Sequence, residues 1–103
     1  MSEPITSKDE LYDRLLKLNG QEYQVTVAIE ELSELQKELT KYLRSKADIE
    51  HIAEEMADCE IVLEQLKKYF NLSKEVEAEK KMKIARLTAR VHQKEIKRTL
   101  ETA

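Results

Sequence analysis

The chain has 103 residues, a formal net charge of −3 and charged side chains of both signs at 38% of positions. That length is enough for one domain, residues 1–103, with an apolar surface that a second copy can complete, and the lack of a basic surplus excludes a general nucleic-acid binder. A single glycine, Gly20, and a single proline, Pro4, exclude a turn-rich sheet fold and leave an all-α architecture.

The chain opens with MSEPITSKDE, which has no basic stretch followed by an apolar one, and no later apolar run nears the roughly 20 residues of a membrane span. A soluble cytoplasmic protein with no membrane partner is expected. Ser7 and Glu10 have capping-box spacing, and Leu11, Leu15, Leu16 and Leu18 supply one face of a short first helix ending near Asn19-Gly20. From about Gln21 to Leu43, the residues Val25, Ala28, Ile29, Leu32, Leu35, Leu39 and Leu43 recur at helical spacing and predict a long second helix. Arg44-Ser45-Lys46-Ala47 is a polar break. Asp48 then caps a third helix carrying Ile49, Ile52, Met56, Cys59, Leu63, Leu66 and Phe70. A break this short predicts an antiparallel hairpin. Cys59, the only cysteine, permits no internal disulfide and no cysteine-based zinc site, and reads as a small buried hydrophobe. Asn71 suits a left-handed helix end, and Ser73 can cap a fourth helix running to about Thr99. Ile84, Leu87 and Val91 give that helix one apolar strip. Beyond it, residues 92–103 keep only Ile96 and Leu100, so this helical tail is either a frayed end or an oligomer contact.

The hairpin helices carry the chemistry. Glu31 and Glu34 lie about 60° apart on a helical wheel, as do Glu55 and Asp58, so each helix offers a pair of carboxylates on one side. Antiparallel partners have position numbers of constant sum, and the pairs Glu31/Asp58 and Glu34/Glu55 share the value 89, which places the pivot between Arg44 and Ser45. Both pairs therefore fall at one level. Val62, Leu66 and Tyr69 border them, and Asp58 stands mid-helix, where its short side chain competes for backbone hydrogen bonds. Two like charges about 5 Å apart cost on the order of 3 kcal/mol at an effective dielectric of about 20. Four converging carboxylates call for protons or cations, and an all-oxygen set suits Mg²⁺, which keeps several waters and takes phosphate oxygens. A solvated acidic face on a charge-rich bundle is the plain alternative. Glu30 and Glu54 point elsewhere on the wheel and read as solvated or ion-paired. Glu38 extends the acidic edge by one turn and has Lys37, Lys41 and Tyr42 as neighbours. His51 reads as a surface or cap residue.

A paired E-E-x-x-E followed some twenty residues later by E-E-x-x-D resembles the all-α nucleoside triphosphate pyrophosphohydrolase superfamily, and within it the small MazG-like proteins. GQEYQVTVAIEELSELQKEL is similar to that family's opening helix, DIEHIAEEMADCEIVLEQL to its second metal-binding helix, and KKMKIARLTAR to the basic segment that follows, so the likeness covers about residues 18–91. It implies a four-helix bundle-like fold around a central antiparallel hairpin, assembled as a homodimer or homotetramer. It also implies Mg²⁺, or Mn²⁺, held by Glu31, Glu34, Glu55 and Asp58 against a nucleoside triphosphate, which water cleaves to the monophosphate and pyrophosphate. Glu34 and Glu38 are then the candidates for taking the water's proton, Lys83, Arg86 and Arg90 for contacting phosphates, and Gln24, two turns before Glu31, for meeting the nucleotide. The chain departs from the pattern in having no tryptophan, so Tyr23, Tyr42, Tyr69, Phe70 or a partner subunit has to supply any aromatic platform for a base. Branches specialised for deoxyuridine or phosphoribosyl nucleotides are not separated by these motifs. The reading from a different class is a catalytically inactive helical oligomerisation or adaptor module that uses the fourth helix to bind a partner.

Overall fold

Four helices account for most of the described residues, 3–103, in a computed structural model of the chain. They are α1 (Lys8–Asn19), α2 (Gln21–Leu43), α3 (Ile49–Tyr69) and α4 (Ser73–Thr102), with no strand among the described residues. No helix is long and apolar enough to cross a membrane. Helices α1 to α3 belong to one compact unit that ends at Asn71, and α4 forms a second.

Local chemistry sets the boundaries. Ser7 Oγ accepts from the Glu10 amide at 3.0 Å, as a capping serine should. The Glu10 carboxylate reaches one residue further back than the standard box and accepts from Thr6 N at 3.0 Å and Thr6 Oγ1 at 2.7 Å. These bonds hold the Glu10 carboxyl below its ordinary value. Gly20, at φ 85° and ψ 160°, is the only residue between α1 and α2, and that backbone region is open to glycine alone. At the hairpin turn the amides of Arg44, Ser45 and Lys46 return to the carbonyls of Lys41 and Tyr42, with Ser45 left-handed at φ 58°. Asp48 Oδ1 then caps α3 by accepting from Glu50 N at 2.9 Å. Asn71 closes α3 at φ 55°, as its short polar side chain allows. Only Leu72 separates Asn71 from α4, so Ser73 begins that helix rather than capping it. The helix continues to Thr102, past the Thr99 expected from its thinning apolar content.

Helix α2 packs chiefly on α3. The seam is built from buried Ala28, Cys59 and Val62 together with buried Gln24, Glu38 and Gln65. Gln24 Nε2 donates to Gln65 Oε1 at 3.5 Å across the seam, a pair whose numbers again add to 89. Ala28 lets the backbones approach, and Cys59 Sγ donates to the Glu31 carbonyl at 3.3 Å. Helix α1 is fastened to α3 by polar bonds around buried Tyr12. The Tyr12 hydroxyl donates to Glu64 at 2.7 Å, and the Tyr69 hydroxyl donates to the Tyr12 carbonyl at 2.8 Å. Lys8 pairs with Glu64 at 3.0 Å, and Lys68 pairs with Asp9 and, at 3.1 Å, with Asp13. Burial and the nearby Glu64 carboxylate push the Tyr12 hydroxyl up to about 12.

The apolar stripes read from the sequence are only half used. Ala28, Leu35, Ile52, Cys59 and Leu66 turn at least partly inward, while Ile29, Leu32, Leu39, Leu43, Met56, Leu63 and Phe70 remain exposed. A two-helix seam covers roughly one arc of each helix, and each stripe here is wider than that arc. In α4 no residue is buried, and only Val76 is half-buried.

Candidate metal centre

Mid-way along the hairpin, the adjacent sides of α2 and α3 bring three carboxylates together. Glu31, Glu55 and Asp58 each offer one oxygen, and these oxygens lie within 4.8 Å of one another. Glu31 and Glu55 are half-buried and Asp58 is exposed, so the group sits at the edge of the seam with one side open to water. Helical spacing places Glu55 and Asp58 on one side of α3, the 89 register brings Asp58 level with Glu31, and the Cys59 thiol holds the Glu31 backbone carbonyl.

The electrostatics are those of crowded carboxylates. Burial raises the Glu31 carboxyl above its ordinary value, helped by the charge of Asp58, a hydrogen bond with Asp58, and the charges of Glu55 and Glu34. Burial likewise raises Glu55, followed by the charges of Asp58, Glu34, Glu38 and Glu54. Each is therefore more easily protonated than a free glutamic acid. One oxygen of Glu55, Oε2, is buried and has no hydrogen-bond partner. A buried acceptor left unpaired is costly. A hard divalent cation fits this donor set, because all three groups present oxygen, the assembled charge is negative, and the open side leaves positions for water or phosphate oxygens.

The other residues singled out from the sequence are placed as follows. Glu34 is exposed and lies outside the group of three, yet near enough for its charge to act on both Glu31 and Glu55. Glu38 is buried and paired with Lys41 at 3.1 Å, and its charge also reaches Glu55. Gln24 is 4% exposed, and its amide is committed to two side chains, accepting from Asn19 Nδ2 at 2.9 Å and donating to Gln65. Lys83, Arg86 and Arg90 are exposed on α4. His51, Glu30 and Glu54 are exposed and outside the group of three. Sequence reasoning missed the amide chain Asn19, Gln24, Gln65, although the constant sum that pairs Glu31 with Asp58 also pairs Gln24 with Gln65. It missed as well the bond from Cys59 to the Glu31 carbonyl, for which a buried cysteine gives no signal in sequence.

No protein-family model, curated protein or solved structure matches this chain.

Proposed function

We propose that the chain is a Mg²⁺-dependent nucleoside triphosphate pyrophosphohydrolase of the MazG-like kind, acting as a single-domain homodimer or homotetramer in the cytoplasm. The observation that carries the reading is the convergence of Glu31, Glu55 and Asp58 around the unpaired, buried Oε2 of Glu55. These three residues would hold Mg²⁺ or Mn²⁺, with Glu34 joining the set only when the triphosphate is bound. A bound divalent cation supplies charge neutralisation at the triphosphate and orients the leaving pyrophosphate.

The chain's own groups do the rest. Glu34, exposed beside the group of three, would take the proton of the attacking water, and Glu38, paired with Lys41, adds its charge to the field around Glu55. Lys83, Arg86 and Arg90 are the residues that the resemblance would assign to the phosphates, where they would offset charge that builds on them. Gln24, tied into the seam, acts on the nucleotide side by fixing the start of α2. Water attack on phosphorus breaks the bond to the pyrophosphate oxygen and leaves a nucleoside monophosphate. The direct test is a pyrophosphate-release screen over canonical, deoxy and damaged nucleoside triphosphates with Mg²⁺ and with Mn²⁺. Release from at least one substrate, abolished by Glu55→Gln with the helical signal intact, supports the reading. No release from any of them refutes it.

The exposed 30-residue α4 favours one other reading, an inactive adaptor that binds a partner through that helix. An adaptor gains no thermal stability from millimolar Mg²⁺, whereas the enzyme does.

A further inference from the structure

Charge is divided unequally along the chain. Residues 1–71 carry nine lysines and arginines against sixteen acidic residues, whereas residues 72–103, the unit formed by α4, carry nine against five. The negative total that speaks against a general nucleic-acid binder is therefore the sum of two parts of opposite sign, and such asymmetry points to a partner for the basic part. Within α4 the excess is concentrated further, because residues 80–98 hold eight lysines and arginines and a single glutamate.

Five of these cations form a line. At 100° per residue, Lys83, Arg86, Arg90, Lys94 and Lys97 fall within an arc of about 80°, spaced three and four residues apart over about 21 Å of helix. Glu79 and Glu101 fall on the same arc and close the line at its two ends, with no acidic residue between them on it. All five cations are exposed, and the one ion pair on α4 among the described residues, Lys80 with Glu77 at 3.7 Å, involves none of them. Cations at this spacing repel along a helix, so the line calls for an anion that runs parallel to it. It is longer than one triphosphate can span, and Lys94 and Lys97 belong to no site assigned above.

The rest of the helix selects among polyanions. Its exposed apolar side chains form two separate strips, with Ile84, Leu87 and Val91 on one flank of the line and Met82, Ile96 and Leu100 on the other. The face opposite the line holds Lys81, Thr88, His92, Glu95 and Thr99 and is polar, whereas a helix lying in a lipid surface needs a single apolar face there. No tryptophan, tyrosine or phenylalanine occurs in α4, so it has no aromatic ring on which the bases of a single strand could stack. Beyond Val91 the apolar side chains thin to Ile96 and Leu100 while the cations continue. Protein–protein contacts avoid such lysine-rich surface at their centre, and contacts with duplex phosphates favour it.

We propose that α4 docks along the phosphate backbone of double-stranded DNA, with Lys83, Arg86, Arg90, Lys94 and Lys97 each meeting a phosphate. A helix with its side chains is about 10–12 Å across and the major groove about 12 Å wide, so α4 fits along one wall of that groove. Because the contacts go to phosphates, the duplex is held without regard to sequence.

Fluorescence anisotropy of the full chain with a labelled duplex of about 20 base pairs, in chelator and without nucleotide, tests this contact. Five neutralised phosphates give log K a slope of about −4.5 against log salt, so binding should weaken several hundredfold between about 50 and 200 mM salt. Lys94→Gln combined with Lys97→Gln should reduce that slope by about two. Lys37→Gln combined with Lys46→Gln removes the same charge from exposed positions outside α4 and should leave the slope unchanged. No binding in about 50 mM salt at tens of micromolar protein, or a slope that the α4 double variant does not move, overturns the proposal. So does tighter binding to a single strand of the same length or to vesicles of an anionic phospholipid. Neither Mg²⁺ nor turnover enters the measurement, so a chain that binds the duplex yet releases no pyrophosphate refutes the enzyme reading and leaves this contact standing.

Discussion

Replacing Glu31 by glutamine removes one charge from the carboxylate group while keeping its shape, and the expected outcome is a metal-free protein more stable than the wild type. The Glu31 and Asp58 oxygens lie within 4.8 Å, where two full charges repel by about 3.5 kcal/mol at an effective dielectric of about 20. Asp58 is exposed and Glu31 half-buried, so water and salt reduce this to about 1 kcal/mol. For a chain of 103 residues, that corresponds to a melting temperature higher by about 4–8 °C. The pH dependence has a fixed sign. Because burial and neighbouring charges raise the Glu31 carboxyl above 4.5, its stabilising contribution is complete below that value and is lost as pH rises through the raised one. The advantage of Glu31→Gln should therefore be small in acid and grow toward pH 7. Mg²⁺ should reverse the order, since a cation at about 100 times its dissociation constant stabilises the wild type by about 2.7 kcal/mol and the variant much less. Calorimetric melts of both proteins, in chelator and in Mg²⁺ across this pH range, provide the assay. A variant that melts below the wild type in chelator at pH 7 would refute the reasoning, because the carboxylate would then be held by favourable contacts.

Further outcomes follow from other parts of the molecule. Val62→Ala empties a site that is 4% exposed and should cost about 2 kcal/mol in urea unfolding, with divalent-cation affinity unchanged. Glu34→Gln should lower turnover by about a hundredfold or more yet keep the Mg²⁺-induced rise in melting temperature, because Glu34 stands outside the group of three. Loss of that rise would place it among the ligands even before nucleotide binds. Lys83→Ala and Arg86→Ala should each raise KM for the triphosphate about tenfold, consistent with a lost charge-assisted hydrogen bond, and leave metal binding in the absence of nucleotide intact.

Much of the framework is legible in the sequence because it rests on local chemistry. Asp48 caps α3, Asn71 closes it, and Gly20 separates α1 from α2, each at a position whose residue type answers a backbone requirement. The level of the carboxylates is legible for a related reason. A short turn fixes the register of an antiparallel pair, and Gln24 meets Gln65 on the same constant sum as Glu31 and Asp58. What the sequence leaves open is which part of a wide apolar stripe turns inward. Leu32 and Met56 are as hydrophobic as Leu35 and Leu66, yet the first two face outward and the second two are half-buried. Periodicity identifies the stripe, and only packing selects the arc. The choice between Lys37 and Lys41 for Glu38 is likewise a matter of side-chain reach, settled in favour of Lys41 at 3.1 Å. The left-handed Ser45 has no residue-type signal, because serine seldom takes that conformation.

The central claim is that Glu31, Glu55 and Asp58 bind a divalent cation. Counting bound Mn²⁺ by paramagnetic resonance in the nucleotide-free protein addresses it without any assumption about substrate. At least one ion per chain, displaced by Mg²⁺ and lost in Glu55→Gln and Asp58→Asn folded to the wild-type helical content, is the predicted result. Wild type that binds no Mn²⁺ at millimolar concentration, or variants that bind it as the wild type does, would contradict the account.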